Sequence, residues 1–457
     1  MVAMKQRTPA FAQADILRLA AERYGLRGAI AQPLRGEQDQ NTLLTIPAGE
    51  RYVLKIAHAA EDPAILDLQH RALAHLADRA PSVALPRSVP AADGAATTTT
   101  TSPDGATHLV RLLTYVPGRL LGATRPHSPE LLRALGTALG TVDRALLDFT
   151  HPAADRDLRW DLPRVAWVRD HLAALPSATR RATIEGLLAR FEAEAEPLLP
   201  RLRQSVIYND AHQDNVIVRT GADSEPAIGL IDWGDTLRTT TVCELAIACA
   251  YAMMDEPDPL AVAAHLVAGY HAALPLTEDE LAALDALIGA RLAISAVNAA
   301  MVRQQEPENA YLTVSEAPAW ALLARLAEVP PRFAHYTFRA ACGLEPCPTS
   351  PRAVRWLARH QDKIGPVVAP DLKTAPSVVF DLSIGSRDLG NMPAFADEQD
   401  VSVFTRTLFE QMRAAGASVG VGRYDEARPI YTSDAYRVEG RDGPEWRTVH
   451  TALDLFM

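Results

Sequence analysis

The chain has 457 residues, of which 48% are hydrophobic and 22% charged, a globular composition with room for two or three domains. A formal net charge of −11 argues against a nucleic-acid partner, which selects a basic face. Cys243, Cys249, Cys342 and Cys347 fit neither a zinc ribbon nor a disulfide framework, "MVAMKQRTPAFAQADILRLAAERYG" lacks the apolar core of a signal peptide, and no apolar run is long enough to span a bilayer, so a cytoplasmic protein without a membrane partner is expected.

Residues 11–24 are amphipathic and expected to be helical. From 28 to about 117 the chain reads mostly as strands: "NTLLTI" and "RYVLKIA" flank the turn "PAGE" as a hairpin, and "THLVRLLTYV" is a further apolar strand. Between them, "PAILDLQHRALAHLADRA" has a helical period that puts Ile65, Leu68, Ala72, Leu73 and Leu76 on one face. The threonine-rich stretch 91–105 is low in complexity and expected to be a mobile hairpin tip. A break at Pro117-Gly118 separates a lobe spanning 1–117 from one spanning 118–345. In the latter, helices are expected over 128–149, 162–174, 177–196, 241–254, 258–273, 277–304 and 315–328, with a β-hairpin near the middle. After "CGLEPCPTSP" a separate mixed unit, 346–457, follows with "SVVFDLSIGS" and a helix near 397–416. The expected class is α+β: a small β-rich lobe, a large helical lobe and a partial C-terminal α/β segment.

In "VIYNDAHQDNVIV" a polar loop interrupts two apolar β-branched flanks. Asp210 and Asn215 have the spacing D-x-x-x-x-N of a kinase catalytic loop, in which Asp accepts the substrate hydroxyl proton and Asn holds a metal ion. The chemistry explains the types: an attacking hydroxyl must be aimed by an acceptor, and an amide oxygen can hold magnesium without adding a full charge. Asp and Asn are also ordinary turn and cap residues, which is the competing reading. A short strand later comes "LIDWGD", where Asp232 stands in the place of the D-F-G metal ligand and Gly234 permits a sharp turn. A plain strand-end Asp-Gly turn is the alternative, weakened by the ordered succession of the two motifs. Lys55 of "RYVLKI" resembles the lysine of V-A-I-K that contacts the α- and β-phosphates; otherwise it is an edge lysine facing water. The preceding "LRGEQDQNTLL" sits where a phosphate-covering loop belongs but carries one glycine, Gly36. For the acid that orients Lys55, helix 63–78 offers Asp67 and Gln69, with Asp67 preferred.

Together "LRGEQDQNTLL", "RYVLKI", "VRLLTYVPGRLL", "VIYNDAHQDNVIV", "GLIDWGD" and "RLAISAVNAA" resemble the aminoglycoside phosphotransferase and choline kinase superfamily, in its hydroxylysine kinase-like branch, over residues 12–345. The resemblance implies a protein-kinase-like two-lobe fold, with 1–117 the nucleotide-binding lobe and 118–345 carrying the catalytic loop and acceptor site. It implies Mg2+-dependent transfer of a phosphoryl group from ATP or GTP to a small-molecule hydroxyl. Asp210 would be the catalytic base, Asn215 and Asp232 the metal ligands, Lys55 the phosphate contact, and Tyr115 and Val116 the lobe connection against the nucleotide base. Tyr208 departs from the family, which usually has His there. An aminoglycoside-type antibiotic kinase and a nucleotide-binding pseudokinase scaffold are the alternatives.

For the acceptor, an amino-alcohol or a hydroxy amino acid, Tyr270, Arg291, Ser295 and Asn298 are candidates; the last three can share one helix face. Arg291 would clamp a carboxylate or form an internal ion pair. Residues 346–457, through "GRYDEARPIYTSDAYRVEG" and "RTVHTALDLF", resemble the lysostaphin-like middle segment of bacterial fusions of a kinase-like domain with a class III aminotransferase, a possible partner. His450 and Asp454 form H-x-x-x-D, half of such a peptidase's zinc site, with no further histidine following. An incomplete domain without bound metal is expected.

Overall fold

The computed structural model describes residues 8–36, 38–220, 225–305, 316–366, 368–383, 386, 398–428, 437–440, 443–446 and 449–457. The chain forms two compact units, 1–350 and 351–457.

The first unit begins with helix α1 (Gln13–Tyr24), ended by Gly25 in a left-handed conformation. Strands β1 (Ile30–Leu34), β2 (Gln40–Thr45), β3 (Arg51–Ile56), β4 (Ser88–Val89), β5 (Thr98–Thr101) and β6 (Thr107–Thr114) make one antiparallel sheet in the order β1-β2-β3-β6-β4, with β5 also on β6. Alternation along the strands splits its faces. Leu44, Leu54, Ile56, Val110 and Leu112 form a core with Ile16 and Ala20 of α1. The register Asn41–Lys55–Arg111 runs across β2, β3 and β6 on the opposite face. The threonine run is a regular strand rather than a loose tip. Its residues are β-branched, and Thr98–Thr101 pair along their length with Thr107–Val110. Helix α2 (Pro63–Arg79), capped by the Asp62 carboxylate on the Ala64 N–H, packs its apolar face into the larger core.

After Pro117, β7 (Arg119–Leu120) leads into α3 (Pro129–Leu146), α4 (Ala178–Glu194), α5 (Cys243–Ala252), α6 (Pro259–Ala273), α7 (Glu278–Gln305), α8 (Glu316–Leu326) and α9 (Pro331–Ala341). The expected helix over 162–174 winds instead as 3₁₀ turns kinked at Arg164. Asp161, which could cap it, gives its carboxylate to the Thr239 hydroxyl at 2.6 Å. Helices α3 and α6 cross with backbones nearly touching. A Cβ on Gly136 would stand 2.1 Å from the Leu266 carbonyl oxygen, and one on Gly269 would stand 2.1 Å from that of Arg133.

Strands β8 (Gln204–Ile207), β9 (Val216–Thr220), β10 (Pro226–Leu230) and β11 (Leu237–Thr240) interrupt the helices. The two flanks of the polar loop do not pair with each other: β8 pairs β11, while β9 sits between β10 and β7. The loop therefore bridges two small sheets, which fixes both its ends.

In the second unit, α10 (Ser350–Arg359) precedes β12 (Ser377–Phe380), α11 (Glu398–Ala414) and β13 (Val419–Gly422). Strand β12 pairs parallel with β13, which pairs antiparallel with residues Asp454–Phe456. Phe380, Leu382, Phe404, Leu408 and Met412 make its core. Residues 429–436 of the quoted C-terminal motif lie outside the described residues.

Candidate active site

Two sheets and two loops deliver the polar side chains. On β3, alternation sends Leu54 and Ile56 into the core and turns Lys55 to the other face, where it is buried. Its Nζ lies 3.4 Å from both carboxylate oxygens of Asp232 and 3.8 Å from Asp39. Asp232 follows β10 in a left-handed conformation, φ 56°. The Lys55 ammonium, against the cost of burial and with help from Arg111, holds the Asp232 carboxyl below the usual carboxylate range.

Asp210 and Asn215 are joined within the polar loop: Asn215 Nδ2 donates to Asp210 Oδ2 at 2.6 Å. That bond fixes the amide and leaves its oxygen as an acceptor. The Ile231 N–H donates to the Asn215 carbonyl at 3.0 Å, next to the Leu230–Val216 register pair, so Asn215 and Asp232 close neighbouring strands. An amide oxygen and a carboxylate are the hard oxygen donors that suit Mg2+ between nucleotide phosphates. Among the described residues no group of three His, Cys, Asp or Glu could hold a metal unaided, so a bound ion would need ligands from elsewhere, as phosphates supply.

Burial, then the nearby Asp235, push the Asp210 carboxyl well above the usual carboxylate range, against the pull of Arg291. His212 is held by its Nδ1, which accepts the Asp214 N–H at 3.1 Å; burial and Arg291 push its imidazole down to about 4. Tyr208 is fully buried, packs its ring 4.8 Å from that of Trp233, and donates its hydroxyl to the Ile231 carbonyl at 2.5 Å. It thus ties the strand entering the polar loop to the turn bearing Asp232. Asn209, also with positive φ, donates its N–H to Glu244 on α5 at 2.6 Å.

The acceptor-side candidates separate. Arg291 on α7 is buried 3.8 Å from Asp210, its Nη2 donates to the Tyr251 hydroxyl at 3.0 Å, and that hydroxyl lies 3.3 Å from Ser295 Oγ. Asn298 follows on the same face one turn later and is half-buried. Tyr270 does not join them: it is fully buried and spends its hydroxyl on Asp143 at 2.5 Å, because α6 packs that face against α3.

Asp67 is also placed elsewhere. It lies on the exposed side of α2, paired with Arg71 at 2.8 Å and His151 at 3.0 Å. The acid beside Lys55 is Asp39, which comes from the loop before β2. That loop is tightened where Asn41 Nδ2 donates to the Arg35 carbonyl at 3.1 Å and Gly36 admits Asp39 so closely that a Cβ would stand 2.4 Å from its carbonyl. Helix α2 contributes Gln69 instead, which accepts from buried Arg111 at 2.5 Å. Arg111, Asp39, Glu244, Asp235, Trp160 and Tyr251 escaped the sequence reading. Arg111 and Glu244 carried a signal, since a lone charge within an apolar strand or helix needs a partner.

Tyr115 and Val116 connect β6 to β7. The Tyr115 N–H donates to the Arg51 carbonyl at 3.1 Å, and Val116 packs on Gly229. Both line a cavity of about 310 Å³ together with Ser82, Arg87 and Arg219. In the second unit, His450 Nε2 lies 3.3 Å from Asp454, but the Arg428 guanidinium pairs with both Asp454 and Glu426. A cation therefore already pairs with the carboxylate of the H-x-x-x-D motif.

The profile of the Phosphotransferase enzyme family matches residues 30–287. A hydroxylysine kinase of Mus musculus is 29% identical over 342 residues, covering 70% of this chain and 90% of its own length. Among solved structures, an amicoumacin kinase in complex with AMP-PNP, Ca2+ and Ami superposes with a TM-score of 0.54 at 16% identity, covering 69% of this chain and 94% of its own. A microcompartment-associated aminopropanol kinase does so with a TM-score of 0.53 at 17% identity, covering 72% and 99%.

Proposed function

Because this chain belongs to the phosphotransferase enzyme family and is a small-molecule kinase with the protein-kinase-like fold, we propose that Asp210, Asn215, Asp232 and Lys55 form its phosphoryl-transfer centre and that its acceptor is an amino-alcohol or hydroxy amino acid of the hydroxylysine type. The observation that carries this reading is the convergence of those four side chains. Lys55 from the sheet lobe lies 3.4 Å from Asp232, and Asp210 is bonded to Asn215 one strand away. The likeness to hydroxylysine kinases over most of the chain supports the acceptor class.

In this reading Asp210 accepts the proton of the acceptor hydroxyl and aims its oxygen at the γ-phosphorus. Lys55 binds the phosphates of ATP or GTP, with Arg111 adding a second positive charge beside Asp232. Asn215 and Asp232 would hold Mg2+, which would supply positive charge to offset that of the phosphates. Tyr115 and Val116 border the base. The loop is held rigid by the two sheets it bridges, which serves positioning. The same reading puts the protein in the cytoplasm, takes 346–457 as lysostaphin-like, and offers a class III aminotransferase as the partner that uses the phosphate ester as a leaving group.

A phosphoryl-transfer screen with ATP and GTP against hydroxylysine, ethanolamine, choline, homoserine and aminoglycosides tests it. Ester formation on hydroxylysine or another small amino-alcohol is expected. Transfer confined to aminoglycosides would favour the antibiotic-kinase alternative, and nucleotide binding without transfer to any acceptor would favour a scaffold.

A further inference from the structure

Resting on that reading, we propose that Arg291 is the specificity-determining residue of the acceptor site and recognises a carboxylate of the acceptor, so that the enzyme selects hydroxy acids over plain amino-alcohols. The guanidinium of Arg291 is held between two aromatic rings. Its Cζ lies 4.4 Å from the ring centroid of Trp160 and 5.1 Å from that of Tyr251, so aromatic faces support it. Such stacking leaves the N–H bonds pointing outward in the guanidinium plane. Of those donors, Nη2 meets the Tyr251 hydroxyl, while Nε and Nη1 are buried with no hydrogen-bond partner among the described residues.

An arginine spent on an internal ion pair looks different here. Arg203 closes on Glu280 with two bonds of 2.6 Å, Nε to one oxygen and Nη2 to the other. Arg291 is 2% exposed, yet Asp210, the carboxylate with which it pairs, stays 3.8 Å away, beyond hydrogen-bond reach. A buried, charged group with donors unspent is costly unless a ligand completes it. The planar donor set matches a carboxylate, and binding one there would bring the acceptor beside Asp210. Trp160 and Tyr251, the rings that flank the arginine, are half-buried rather than sealed in the core. Lys55 and Arg111 act on Asp232, whereas Arg291 acts on Asp210 and Asp235, which puts it at the acceptor pole rather than the nucleotide pole.

The test is calorimetric titration of the full chain, with Mg2+ and a non-hydrolysable ATP analogue present, by hydroxylysine and by the diamino alcohol left when its carboxylate is removed. Wild-type protein is expected to bind hydroxylysine about 10- to 100-fold more tightly, the range of a charge-assisted hydrogen-bonded pair. Arg291→Gln should shrink that gap to about twofold, and Arg291→Lys, which keeps charge without the fork, should leave an intermediate gap. Equal or undetectable binding of the two compounds by wild type overturns the proposal, as does an undiminished gap in Arg291→Gln. Loss of nucleotide affinity in Arg291→Gln with the gap intact assigns the guanidinium to the γ-phosphate and overturns it too. The failures are distinguishable: a binding gap without any ester formation sinks the kinase reading alone, and ester formation without a gap sinks the carboxylate proposal alone.

Discussion

Tyr208 shows how one side chain can couple two parts of a site. Its hydroxyl meets the Ile231 carbonyl and its ring meets Trp233, so it tethers the turn that carries Asp232. Tyr208→Phe keeps the ring but takes the donor from that half-buried carbonyl, and is expected to cost about 1 kcal/mol in urea unfolding, with slower turnover. Unchanged stability and rate would mean the tether is idle. Glu244 supports the same loop from below by accepting the Asn209 N–H, and burial raises its carboxyl from 4.5 to about 7. Between those two values the folded chain keeps a proton that the unfolded chain has lost, so this group lowers stability as pH rises from 4.5 to about 7. Glu244→Gln, neutral throughout, should flatten that part of the profile of melting temperature against pH; an identical slope would contradict it. At this scale the contacts of Lys55 with Asp232 and of Asp210 with Asn215 follow the ordered motifs that carry these four residues. Asp39 was not legible, because its approach to Lys55 depends on a loop closed by Gly36 and Asn41.

Among the elements, the crossing of α3 and α6 depends on glycine for closeness rather than for turning. Alanine at Gly136 gains about 1 kcal/mol of helix propensity but drives a methyl into the Leu266 carbonyl oxygen. Overpacking of about 1–3 kcal/mol or more should win, so Gly136→Ala lowers the melting temperature. Gly186 in α4 has nothing within 4 Å of a would-be Cβ, so Gly186→Ala should raise it. Shifts of the same sign in both variants would remove the packing argument. Helix positions with a clear apolar face were readable from apolar period, as α2 and α3 illustrate. Strand partners were not: the flanks of the polar loop are local in sequence, yet each pairs with a strand further along the chain. The threonine run misled because low complexity hid its β-branched preference for a strand.

Over the whole first unit, two separately built layers meet at one charged seam. The sheet brings Lys55 and Arg111, and the helical lobe brings Asp210, Asn215 and Asp232, with Arg291 behind them. The succession of a strand-rich part and a helical body could be read from changes in texture along the chain. The partners of the buried charges could not, since they depend on how α5, α7 and the small sheets stack. Tyr270 is the clearest case, a candidate by type that packing consigns to Asp143. The central claim, that Asp210 aims a small-molecule hydroxyl at a nucleotide γ-phosphate, is tested most directly by Asp210→Ala. Ester formation from hydroxylysine and Mg-nucleotide would be followed by phosphorus NMR, alongside nucleotide affinity. Loss of detectable ester is expected in the variant, with nucleotide affinity within about threefold of wild type, less than 1 kcal/mol. Comparable turnover by Asp210→Ala would contradict it.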